Sequence, residues 1–170
     1  MIRWTLALLA TLAVLGLSPP AGAAGSGSGG GLRDSPLLWV TVDVCTSSAS
    51  VDVVGVRGSM PGTGNEHEQM YVRFRLQYEA APGSWRYLGR AADSGFVHVG
   101  TALYLNRQAG LDFDLSAKTA AGTVLRGVAT FQWRIGGSVT HHAQLDTTPG
   151  HAASAGAIPA GYSAARCTIT

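Results

Sequence analysis

From Leu37 onward the chain alternates apolar and polar side chains with a period of two, and no stretch sustains the three-to-four spacing of an amphipathic helix. The clearest run, "MYVRFRLQY" at 70–78, sets Met70, Val72, Phe74, Leu76 and Tyr78 on one side and Tyr71, Arg73, Arg75 and Gln77 on the other. In an extended strand that is one face for a core and one for water or a ligand. Strands are predicted at 37–45, 51–58, 69–78, 84–89, 95–105, 111–117, 123–135, 138–146 and 163–170. Between them lie Pro82-Gly83, Ala109-Gly110, Ala121-Gly122 and Gly136-Gly137. The last is the strongest hairpin signal, because both central residues of a type I′ turn take positive φ.

Seven to nine short strands with turns this close predict an all-β chain, folded as a two-sheet antiparallel β-sandwich. A closed barrel is the alternative. In 123–135, Leu125, Ala129, Phe131, Trp133 and Ile135 are expected to face the core, and Arg126, Thr130, Gln132 and Arg134 to face out.

The first 23 residues have a different pattern. Arg3 precedes an apolar run from Trp4 to Leu17, then Pro19-Pro20 and Ala21-Gly22-Ala23. This is the layout of a secretory signal peptide cleaved after Ala23. The run is shorter than the roughly 20 residues of a membrane span. Residues 24–36 read as a flexible Gly/Ser-rich N-terminus, and 37–170 as the sandwich domain. No lipobox cysteine follows the apolar run, and the tail carries neither a hydrophobic anchor nor a sorting motif. The expected product is monomeric and exported, to the cell envelope or the extracellular space, with no membrane contact after cleavage.

Without Arg3 the chain keeps eleven basic and ten acidic residues, and Lys118 is its sole lysine. A charge this close to neutral argues against nucleic acid as a partner. Cys45 and Cys167 are the two cysteines, and in an exported chain they are expected to pair. Their bridge would join the sheets or staple the terminal strands.

The Cys45/Cys167 pair, Trp133 within "FQWRI" and the strand rhythm resemble secreted immunoglobulin-like or fibronectin-like β-sandwich proteins of actinobacterial type. The resemblance implies binding or structural roles and carries no catalytic residues. It departs from immunoglobulin domains in two ways. The cysteines lie near the ends of the domain, and Tyr162 stands five residues before the second cysteine.

Candidate chemistry is sparse. Arg73 and Arg75 are expected to form a cross-strand ladder with Asp112 and Asp114 of "LDFDL" if those strands are neighbours. Alternatively Arg73, Arg75, Arg134 and Tyr71 form a sheet face for an anionic polysaccharide. Trp85 and Tyr87 in "SWRYLG" share a side opposite Arg86; a core position is expected for one side, and an exposed Trp85 would suggest sugar stacking. Asp112 and Asp114 lack the surrounding loop oxygens of a calcium site. A zinc or hydrolase site would require His98, His141 or His142, and His151 to converge. His141 and His142, being adjacent on a strand, face opposite sides. No G-x-S-x-G, HExxH or glycine-rich phosphate cradle occurs. Asp93-Ser94-Gly95 reads as an ordinary turn.

Two loops, 58–69 and 147–163, could form a recognition tip with Met60, Glu66, His67, Glu68 and His151 exposed. The second loop is rich in Ala, Gly and Ser, although Ile158 and Tyr162 could pin it to the sandwich. The sequence therefore predicts a secreted, non-catalytic binding or structural module with no cofactor or metal. Its partner would be a cell-wall polysaccharide or another extracellular protein. A carbohydrate-binding module is the first alternative, and a small extracellular hydrolase or metal-dependent enzyme the second.

Overall fold

The computed structural model describes residues 31–47, 52–115, 119–152 and 156–170; the signal-peptide segment lies outside them. Among the described residues nine strands run in chain order: β1 (Trp39–Ser47), β2 (Asp52–Pro61), β3 (Gln69–Ala81), β4 (Ser84–Tyr87), β5 (Val97–Thr101), β6 (Asn106–Leu115), β7 (Val124–Ile135), β8 (Ser138–Asp146) and β9 (Cys167–Thr168). They form two antiparallel sheets. Sheet A has the order β1-β2-β6. Sheet B has the path β4-β3-β7-β8, with β5 also on β3 and β9 also on β7. No helix among the described residues is long and apolar enough to cross a membrane.

The alternation sets which side chains meet between the sheets. Met70, Val72, Phe74 and Leu76 of β3, with Leu125, Ala129, Phe131 and Trp133 of β7, are buried against Val40, Val42, Val54, Val56, Met60 and Phe113 of sheet A. Trp133 satisfies its indole by donating to the Pro61 carbonyl at 2.9 Å, which removes the cost of an unpaired polar group in the core. Ile135 departs from expectation and is exposed: it is the last residue of β7, beside the turn at Gly136-Gly137. Both glycines of that turn have positive φ, as the hairpin signal required.

Two inward positions leave no room for a side chain between the sheets. A Cβ on Gly127 would stand 2.7 Å from both methyls of Val56 and 2.8 Å from Thr147 Cγ2. Gly58, across the core, faces the Phe131 and Phe74 rings in the same way. Inward glycines on each sheet therefore let larger side chains of the other sheet seat fully.

β1 contains a bulge. Val42 pairs with Val56 but Val44 pairs with Gly55, leaving Asp43 as the extra residue. In "VTVDVC" an unbroken alternation would place Cys45 on the outer side with Thr41. The bulge reverses the parity, so Cys45 turns inward opposite Val54. There it bonds Cys167, which is paired with the core residue Leu125. The bridge therefore joins sheet A to sheet B and ties β1 to β9.

The same inversion turns Val44 outward, where the 147–166 segment covers it. Val42 and Ala164 exchange backbone hydrogen bonds at 2.9 and 3.0 Å, the Thr148 amide donates to the Val40 carbonyl, and the Ile158 amide donates to the Asp43 carbonyl. Trp39 stacks on His151 with ring centroids 4.4 Å apart. Tyr162 packs against the core. The loop read as Ala/Gly/Ser-rich is thus a strap on the open edge of β1, although 153–155 lie outside the described residues.

Two other expectations shift. The strand expected over 95–105 ends at Thr101; the chain reverses over 102–105, leaving Leu103, Tyr104 and Leu105 exposed, and β6 begins at Asn106. In the expected tip, Met60 and Glu68 are buried. Met60 belongs to β2, which runs on to Pro61, and the Glu68 carboxylate accepts from the Thr63 and Thr140 hydroxyls.

The bridge closes a separation of 122 residues. Replacing both cysteines, as Cys45→Ala/Cys167→Ala, is expected to lower unfolding free energy by about 3–5 kcal/mol, read from denaturant titration. Gly127→Ala is expected to cost about 1–3 kcal/mol through overpacking against Val56; an unchanged denaturation midpoint would show that the sheets can part there freely.

Candidate functional site

The outer face of sheet B is set by the same alternation that buries its inner face. Opposite residues in an antiparallel ladder share a side, so the register places Tyr71, Arg73, Arg75 and Gln77 of β3 beside Gln132, Thr130, Val128 and Arg126 of β7. Gln69 lies beside Arg134. On the other flank Tyr87 faces Gln77 and Trp85 faces Glu79. All six residues singled out from the sequence, Tyr71, Arg73, Arg75, Trp85, Tyr87 and Arg134, therefore lie on one surface.

Arginines and aromatic rings interleave across it. The Arg75 guanidinium lies 4.1 Å from the Tyr87 ring centre. Arg134 lies 4.2 Å from the Tyr71 ring and 4.8 Å from the Phe96 ring. Arg126 and Arg166 both sit against Trp85, at 4.3 and 5.0 Å. Each such contact is worth about 0.5–1 kcal/mol at an exposed site. It also holds a long side chain in one pose with its N–H groups directed along the face.

The guanidiniums differ in their charge partners. Arg73 holds Asp93 with both forks: Nε donates to Oδ1 at 2.7 Å, and a terminal nitrogen donates to Oδ2. Arg126 pairs with Asp146 at 2.7 Å, and Arg166 more loosely with Glu79 at 3.9 Å. Among the described residues Arg75 and Arg134 have no carboxylate within ion-pair distance. Arg75 donates to Gln144 at 3.2 Å, and its Nε is buried without a hydrogen-bond partner. Arg134 Nε donates to Gln132 at 2.9 Å.

The ladder expected between Arg73/Arg75 and Asp112/Asp114 does not form. Asp112 and Asp114 are on β6, which among the described residues pairs with β2 in sheet A and not with β3. The arginines' acid is Asp93, from the turn that fills the edge of β3 between β4 and β5. There Ser94 accepts the Phe74 amide through its hydroxyl at 2.8 Å, and Asp93 bridges to Arg75 through the backbone. "DSGF" is thus a turn, but one that seals a strand edge and supplies a counter-ion. Hydrogen bonding from Arg73 is the chief cause that lowers the Asp93 carboxyl to about 2.

Trp85 and Tyr87 lie on the outer face, Trp85 half-buried beneath guanidiniums and Tyr87 43% exposed, while on the opposite side of "SWRYLG" Arg86 is exposed and Leu88 packs against the core. Sequence reading missed Phe96, Asp93 and Arg166 as members of this surface. Arg126 was legible as outward-facing from its alternation with Leu125, yet nothing local tied it to Trp85.

The histidines do not converge. His98 on β5 bonds Gln69 at 2.8 Å and tilts against Tyr71. His141 and His142 are on β8, on the far side of β3 and β7. His151 stacks on Trp39 at the edge of β1, and burial lowers its pKa. No group of three His, Cys, Asp or Glu side chains suited to a metal occurs among the described residues.

Sheet A's outer face carries a second charged cluster. Asp43 is buried, accepts from Arg57 Nε at 2.8 Å through Oδ2, and has no partner at Oδ1. Asp112 lies near it across Gly55. Desolvation, followed by the charge of Asp43, raises the Asp112 carboxyl, while Arg57 opposes the rise.

No family model and no curated protein matches the chain. Among solved structures, a glycosyl hydrolase family 2 member from Bacteroides cellulosilyticus aligns at TM-score 0.37 and 11% identity, over 66% of this chain and 15% of its own. The Bacteroides uniformis β-glucuronidase 2 aligns at 0.36 and 10%, over 68% and 13%. A Pseudomonas fluorescens alkylpurine DNA glycosylase aligns at 0.25 and 11%, over 64% and 28%. This chain thus spans less than a third of each of these structures, and the likenesses carry no argument about activity.

Asp93 binds a proton less readily folded than unfolded, so its contribution is present above the ordinary value of 3.8 and fades as pH falls toward about 2. After screening at this partly exposed pair, Arg73→Ala is expected to cost about 1 kcal/mol at pH 7. The cost should fall to a small fraction near pH 2, where the folded chain's Asp93 is half-protonated, and disappear below it. Equal costs at both pH values, by chemical denaturation, would exclude the ion pair as its source.

Proposed function

We propose that this chain is an exported, non-catalytic binding module of the cell envelope or extracellular space, and that the outer face of sheet B is its recognition surface. The observation that carries the reading is the pair of guanidiniums, Arg75 and Arg134, held over the Tyr87 and Tyr71 rings with no carboxylate within ion-pair distance among the described residues. An immobilised cation has already lost the side-chain entropy that binding would otherwise cost. The disulfide supports export, since such bonds persist in oxidising compartments. So does the leader-like pattern of residues 1–23.

Stacking of a neutral sugar directly on the indole, as in a simple aromatic strip, is disfavoured because Arg126 and Arg166 already occupy Trp85. The arginines are the groups offered to a partner, and the rings beneath them orient them.

Co-sedimentation of the mature protein with purified cell wall and insoluble polysaccharides tests this. The variant Arg75→Ala/Arg134→Ala is expected to lose at least tenfold in affinity, whereas Arg57→Ala, on sheet A, keeps it. Retention of full binding by the sheet B variant would move the recognition surface elsewhere.

A further inference from the structure

The two long edges of sheet A differ. The strap seals the outer edge of β1, whereas no backbone hydrogen bond among the described residues reaches the edge of β6 that faces away from β2. Which groups lie on that edge follows from the ladder. Val42 exchanges both of its backbone hydrogen bonds with Ala164 of the strap, so its N–H and C=O point away from β2. Val56, opposite Val42, therefore points its own toward β6, and Leu111, opposite Val56, points back at β2. The Gly62 amide, donating to the Leu105 carbonyl at 2.9 Å, gives the same parity. The N–H and C=O groups of Asn106, Gln108, Gly110, Asp112 and Asp114 are then the ones directed outward from the sheet. Leu111 shares the inner side with Phe113, yet it is 39% exposed at this rim.

We infer that this edge pairs with the same edge of a second copy, giving an antiparallel dimer in place of the monomer expected from sequence. The joined sheet runs β1-β2-β6-β6-β2-β1 across a two-fold axis. The strand supplies its own complement. With Gly110 opposite Gly110 of the second copy, Gln108 lies opposite its Asp112, and Asn106 opposite its Asp114. Each carboxylate then has an amide beside it. Asn106 gives one N–H to Ser59 at 3.0 Å and keeps another for the aspartate. On the inner side Ala109 meets Leu111 of the second copy, and the two Leu111 side chains lie diagonally across the axis, covering the exposed rim. Sliding the strands by two residues in either direction leaves one aspartate of each copy without an amide opposite. Sliding further one way sets Asp112 against Asp112, a like-charge contact. The acidic residues thus select one register. Because the axis stands perpendicular to the joined sheet, both copies of sheet B lie on the same side of it, and their outer faces look one way.

The test is sedimentation velocity of the mature, disulfide-bonded protein from low to high micromolar concentration, with variants at the exposed position Gln108. Gln108→Pro removes an outward N–H and puts a ring on the pairing edge, while the β2–β6 ladder keeps its bonds. Gln108→Lys sets an ammonium opposite Asp112 of the second copy, and Gln108→Glu a carboxylate. Wild type is expected to pass reversibly from monomer to dimer as concentration rises. At unchanged circular dichroism, Gln108→Pro is expected to stay monomeric. Gln108→Lys should tighten the dimer about threefold or more and Gln108→Glu weaken it by a similar factor, with high salt narrowing the gap between them. A wild type that is monomeric throughout the range would overturn the inference, as would a dimer that survives Gln108→Pro. Growth past the dimer would replace the symmetric pairing with open strand addition and overturn it too. If Gln108→Pro fails to fold, the other two variants decide: equal dimerisation by Gln108→Lys and Gln108→Glu would rule the pairing out.

Discussion

The extra residue at Asp43 sets the relation between the two sheets. A strand with strict alternation can present its apolar side to the core and its polar side to water, but cannot change sides partway along. "VTVDVC" needs to do both, because Val40 and Val42 belong to the core and Cys45, three residues after Val42, must also face inward to meet Cys167. The bulge resolves the conflict by letting one residue drop out of register. Its cost is the outward Val44 and the buried Asp43 carboxylate. Both are met by neighbours: the strap covers the valine, and Arg57 answers one carboxylate oxygen. Core, disulfide and strap are thus consequences of a single local irregularity.

The outer faces of the two sheets then take different characters. On sheet A the strap and the crowding of Asp43, Arg57 and Asp112 around Gly55 leave little open strand surface near β1. On sheet B the outer face is broad, because β3 and β7 pair over ten positions and their flanks are filled in pieces, by β4, the Asp93 turn and β5 on one side and by β8 and β9 on the other. Rings and guanidiniums alternate over that platform, and the hydrogen-bonded ladder beneath keeps their spacing. A surface of this kind has a shape and a charge pattern that do not depend on ligand-induced folding.

Much of the architecture was legible in the chain because period-two alternation states a strand and its buried side together, as in Met70 to Leu76 and Leu125 to Trp133. The paired cysteines were legible from number and context. What could not be read was partnership between strands distant in sequence. The Arg73 counter-ion was sought on "LDFDL" because two carboxylates there have the right spacing, yet spacing says nothing of which sheet a strand joins. Asp93 was passed over because "DSG" is a sufficient turn by composition, and its second role depends on the turn lying along β3. Bulges are equally hidden: nothing in "VTVDVC" marks Asp43 as supernumerary. For the candidate surface, alternation put Tyr71, Arg73, Arg75 and Arg134 outward, but the stacking of Arg126 and Arg166 on Trp85 joins three segments and emerges only in the folded chain.

The bridge between the first and last strands also sets how the domain would carry a load. Tension entering through the segments that flank Cys45 and Cys167 would pass from one sulfur to the other and bypass most of the 122-residue separation between them. The hydrogen-bonded ladders of β2 to β8 would lie outside the line of force, and the platform of rings and guanidiniums would keep its geometry while the flanking chain is stretched. Tension applied between the two ends of the domain would then stretch the flanking chain before it reached that platform.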